Sequence, residues 1–131
     1  MNPDLETRLR PFDSLHKDEK EFFTTLMEIF TWESFAPFHR QGLKPTVNIY
    51  IEPIENDEDD SAYMTGDDEY NFEIYLDERM PFGMVIDFAL HEFAHILSWL
   101  AWEDDDHGPA FGIAYASLYR IYLQFYEDFW G

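Results

Sequence analysis

The sequence has no cysteine. No disulfide can staple it, so its stability must come from an apolar core, and any metal site must use His, Asp or Glu. Basic residues are also scarce, with 8 Lys and Arg against 28 Asp and Glu, a formal charge of −20. Duplex nucleic acid carries about one negative charge per 1.7 Å, so a chain of this charge is expected to be repelled by it. The basic pairs Arg8/Arg10, Lys17/Lys20 and Arg40/Lys44 are too sparse to reverse that. An N-terminal apolar run is missing too, so MNPDLETRLRPF does not read as a signal peptide. The most apolar stretch, Val85 to Trp102, carries Asp87, His91, Glu92 and His95, which argues against a membrane span. The expectation is a soluble, cytoplasmic protein without membrane or direct nucleic-acid contact.

Aromatics make up 19% of the 131 residues and apolar residues 46%, enough to fold one domain spanning 1–131, read as a monomer. There is no internal repeat and no Gly/Ser linker. From Asp18 to about Phe35, apolar residues at 22, 23, 26, 27, 29 and 30 form a helical stripe, with Pro37 placed just past its end. Val47, Ile49 and Ile51 then alternate with Asn48 and Tyr50 as a strand. The run EPIENDEDD holds six acids in nine residues and reads as an exposed loop. Ser61 to Thr65 is a short second strand before a Gly66-Asp67-Asp68 turn, and Tyr70, Phe72, Ile74 and Leu76 mark a third. A small, mostly antiparallel three-stranded sheet is expected.

Pro81 opens a helix running to about Leu100, apolar on nearly every side and therefore buried. After the acidic turn 103–106, a last helix runs from about Pro109 to Asp128. Helix, sheet, helix, helix is an α+β order. The terminal cluster Phe125, Tyr126, Phe129 and Trp130 reads as the packing end of the last helix.

The buried helix carries His91-Glu92-Phe93-Ala94-His95, an H-E-x-x-H pattern. Residues four apart share a helix face, so two imidazoles can converge on one ion. Glu92 is rotated from His91 by about 100°, which sets its carboxylate beside the ion rather than on it, where a general base belongs. A catalytic zinc takes three protein ligands and keeps one position open. His107, twelve residues beyond His95, is the natural third ligand, in competition with the carboxylates of Glu103 to Asp106 and of Glu127. His16 lies far upstream, and His39 sits near a helix end.

His107-Gly108-Pro109-Ala110-Phe111 following this motif resembles the H-G-P-x-F signature of SprT-like zinc metalloproteases, the group that includes Spartan and the small WLM-type peptidases. The likeness covers roughly Pro81 to Tyr122. It implies a zincin-like minimal metalloprotease domain, with one Zn²⁺ held by His91, His95 and His107 and with Phe111 packing the last helix. Asp87, one turn before His91, falls where several relatives have an Asp; its two readings are a residue that orients a ligand and a plain helix-surface acid. The activity implied is peptide-bond hydrolysis of a protein or peptide substrate, with Glu92 deprotonating the attacking water. Tyr115 and Tyr119, which project from the last helix, are candidates for stabilising the oxyanion, with core packing as their other reading. Spartan-type proteins carry basic DNA-binding regions, whereas this acidic sequence ends at Gly131, so repair of DNA–protein crosslinks is not carried over. The 11-residue gap between His95 and His107 is shorter than in Spartan-like members and resembles compact, stand-alone members, some of the kind encoded by phages. The alternative is a non-catalytic acidic protein, stabilised by zinc, that binds a basic partner.

Overall fold

The computed structural model describes residues 17–52, 62–101 and 108–131. Its elements are α1 (Lys17–Arg40), β1 (Thr46–Glu52), β2 (Ala62–Gly66), β3 (Asn71–Asp77), α2 (Phe82–Leu97) and α3 (Pro109–Trp130). This is the expected α+β order. The expected third-ligand residue His107, its competitors Glu103 to Asp106, His16, and most of the acidic loop lie outside the described residues.

α1 begins with Asp18 and Glu19 and ends with His39 and Arg40, charges that complement the helix dipole at both ends. It runs past Pro37, which the sequence pattern places beyond it. A proline in the last turn removes only its own N–H bond, and the continuation carries Phe38 into the core against Tyr70 and Phe72, at ring-centroid distances of 5.5 and 5.8 Å. The stop comes at Gly42, whose φ of 76° few other residues tolerate. There Leu43 N–H donates to the Phe38 carbonyl and Gly42 N–H to that of His39, the two bonds of a Schellman cap.

The sheet has the order β1-β3-β2, with β2–β3 antiparallel and β1–β3 parallel. It is mixed, not mostly antiparallel. Alternation assigns faces but carries no information about direction, and the short β2–β3 turn commits one edge of β3 while leaving the other for β1. That turn is organised by Asp67, whose Oδ1 accepts N–H bonds from Glu69 and Asn71. Those bonds, Asn71's first, hold its carboxyl below the usual range. Tyr70 belongs to this turn, at φ 63°, rather than to the strand. Register places Ile49 beside Ile74 and Ile51 beside Leu76, all buried on one face. The opposite face carries a cross-strand row in which Tyr75 stacks on Tyr50 and on Tyr63, with centroids 5.0 and 4.4 Å apart. The Tyr75 hydroxyl donates to the Glu73 carboxylate, which, with burial, raises its pKa above the usual phenol range.

α2 is the centre of the molecule, in contact with α1, α3, β2 and β3. Pro81 sits at its N-cap, one residue outside the helix, and Ser98 closes it, with N–H and Oγ both donating to the Ala94 carbonyl. The helix therefore stops at Leu97, short of the expected Leu100. Against α1, Phe93 meets Phe30 at 5.6 Å, and the buried Ser34 hydroxyl donates to the Phe93 carbonyl at 3.3 Å. Truncating a fully buried phenylalanine such as Phe30 or Phe93 to alanine typically costs about 3–5 kcal/mol. At the far end of α3, Phe125, Tyr126, Phe129 and Trp130 surround Phe22 of α1 with centroids 5.2 to 5.9 Å away, the packing end read from the sequence. Among the described residues no helix is long and apolar enough to cross a membrane.

Candidate metal centre

α2 is not apolar all round. Val85, Ile86, Ala89, Leu90, Phe93, Ala94 and Ile96 are buried, whereas Asp87 is exposed and His91 and His95 are half-buried. The histidines therefore lie at the border of the core, where imidazoles can meet both solvent and protein. Their rings are 4.9 Å apart and steeply inclined at 75°, with Nε2 of His91 3.2 Å from Nε2 of His95. Two nitrogens bound tetrahedrally at ~2.05 Å from one zinc stand about 3.3 Å apart. The observed spacing fits a shared ion. It also fits one ring donating N–H to the other, with the tautomers setting the direction.

Glu92, rotated from His91 by about 100° around the helix, is 8% exposed. Burial pushes its carboxyl up to about 7. An ionised carboxylate is costly to remove from water, which is the physical origin of that rise. A cation near the histidines would favour the ionised form and bring it back down.

The first turn of α3 faces this pair. Gly108 is the N-cap and Pro109 the first helical residue, a pairing of cap and proline that suits a helix start. Phe111 then lies against both imidazoles, its centroid 5.1 Å from His91 and 4.5 Å from His95. The H-G-P-x-F resemblance implies that this phenylalanine packs the last helix. It also touches the histidines, a contact that no linear spacing within one helix could reveal.

The other candidates spread along α3. Tyr115 is one turn beyond Phe111, with centroids 6.0 Å apart, and Tyr119 stacks on Tyr115 at 6.4 Å one turn farther still. Tyr115 is the nearer of the two to the histidines, and Tyr119 is 42% exposed. Asp87 makes itself felt at Tyr122, whose hydroxyl is pushed up first by burial and then by the Asp87 charge. His39 is exposed at the end of α1, against Phe35. Glu127 is exposed near the end of α3, about four turns from Phe111. Among the described residues no three His, Asp or Glu side chains come together as a metal-binding group. The described part of the centre is thus two imidazoles, one buried carboxylate and one aromatic ring. No protein-family model, curated protein or solved structure matches this chain.

Proposed function

We propose that the protein is a zinc-dependent metallopeptidase with a zincin-like catalytic core, in which His91 and His95 hold the ion and Glu92 is the general base. The observation that carries this reading is the 3.2 Å approach of the two Nε2 atoms, next in sequence to a buried glutamate. Zn²⁺ supplies Lewis-acid polarisation of water and of the scissile carbonyl. His107 is the proposed third ligand, on the H-G-P-x-F resemblance. It is next in sequence to Gly108, the N-cap of the helix whose first turn carries Phe111 against both imidazoles.

The chain's own residues account for the proton movements. The Glu92 carboxylate takes a proton from the attacking water and returns it to the leaving amine. With the ion bound, its charge would keep the carboxyl ionised and ready to accept that proton. Tyr115, one turn beyond Phe111, is the nearer of the two tyrosines and the one we propose stabilises the developing oxyanion.

Glu92→Gln keeps the shape and removes the base. We expect the variant to retain one zinc per chain, measured by metal analysis, while cleavage of an unfolded protein substrate falls by at least about 10²–10⁴-fold. His107→Ala should weaken zinc binding. A protein that binds no zinc, or one that cleaves equally well as Glu92→Gln, overturns the proposal. Zinc bound without any Glu92-dependent cleavage would favour the non-catalytic, zinc-stabilised alternative.

A further inference from the structure

We propose that Phe111 is a positioning residue, whose ring holds the His91 and His95 imidazoles in the orientations that converge on one cation. The inference rests on the zinc reading of the centre and goes beyond it by assigning that convergence to a residue of another helix. A histidine on a helix surface has several χ1 wells and a broad χ2, so two imidazoles four residues apart do not face a common point by spacing alone. Here they do, to 3.2 Å between Nε2 atoms. Phe111 lies against both rings, meeting His91 at an interplanar angle of 61° and His95 at 38°. A swing of either imidazole towards α3 would run into it.

The wedge is itself held. Phe111 sits on the first turn of a 22-residue helix that starts at Gly108 and Pro109. That helix is anchored through buried Ala114 and Leu118 and, at its far end, around Phe22 of α1. Tyr115 backs the Phe111 ring at 6.0 Å. The ring position is therefore set by α3 packing, and α3 packing is transmitted to the ligand pair. Fixing ligands before the ion arrives removes the entropy cost of ordering them on binding. The residue does this by contact and shape, without donating to the ion.

The test uses the full chain, stripped of metal and titrated with zinc alone, as wild type, Phe111→Leu and Phe111→Tyr. Partners that orient metal-binding histidines by hydrogen bonds typically contribute about 10–100-fold in affinity, which sets the scale for a ring that orients them by contact. Phe111→Leu should weaken zinc binding on that scale, and Phe111→Tyr, which keeps the ring, should restore it. NMR of the zinc-free protein supplies a readout that a merely structural role would not move. Cross-relaxation should link the Phe111 ring to the imidazole protons of both histidines, and the cross-relaxation between the two imidazoles that marks their convergence should be lost in Phe111→Leu and kept in Phe111→Tyr. Absence of the Phe111–imidazole cross-relaxation in the wild type overturns the inference even if the leucine variant fails to fold. Unchanged zinc affinity in a folded Phe111→Leu overturns it while leaving the proposed function standing. A wild type that binds no zinc overturns both.

Discussion

Glu92 is the residue whose surroundings say most about the molecule. In the unfolded chain its carboxyl titrates near 4.5, and burial in the fold raises it to about 7. Between those values the folded state keeps a proton that the unfolded state has released, so the stability of the metal-stripped protein falls as pH rises from about 4.5 to 7. The ceiling on this contribution is about 3 kcal/mol, since each tenfold change in proton affinity is worth about 1.4 kcal/mol. Glu92→Gln cannot ionise. Metal-stripped wild type and variant should melt at similar temperatures near pH 4.5, with the variant the more stable above pH 7. Parallel melting curves at every pH would show that Glu92 is solvated rather than buried. The same residue is legible in the sequence as the glutamate of an H-E-x-x-H pattern. Its burial is not, because a helix with apolar residues on nearly all sides does not say which side is deepest.

Among the elements, the helices and strands follow closely from periodicity, and the departures have specific causes. α1 outruns Pro37 because Phe38 belongs in the core and Gly42 supplies the actual stop. That β1 runs parallel to β3 is invisible in the sequence, because side-chain alternation is the same in either direction. Gly66 shows what contact between elements adds. A Cβ there would stand 2.9 Å from the Phe72 ring and 3.2 Å from Trp99. Phe72 is fully buried and cannot give way cheaply. Gly66→Ala gains up to about 1 kcal/mol from a stiffer unfolded chain, but overpacking costs about 1–3 kcal/mol. The expected net result is destabilisation, read as a lower denaturation midpoint in urea. A midpoint at or above that of the wild type would mean that the end of β2 and the segment after α2 have room to part.

For the whole molecule, the dominant quantity is its charge of −20. Such an excess repels itself in the compact state, and salt screens that repulsion over a Debye length of about 10 Å at 0.1 M. The melting temperature should rise with sodium chloride from low to physiological ionic strength; a flat or falling response would mean that attractive ion pairs outweigh the repulsion. Repulsion and Glu92 ionisation both weaken the fold as pH rises, and only the comparison with Glu92→Gln separates them. The sequence by itself determined what is local: the absence of disulfides, the acidic balance, the order of helices and strands, and a helix with His91 and His95 on one face. Those features depend on spacing along a single chain. The tertiary structure alone decided that β1 lies parallel to β3, that Glu92 is shielded from water, and that Phe111 meets both imidazoles. Each of these is a contact between segments distant in sequence, created by the packing of the sheet and of α1 and α3 around α2.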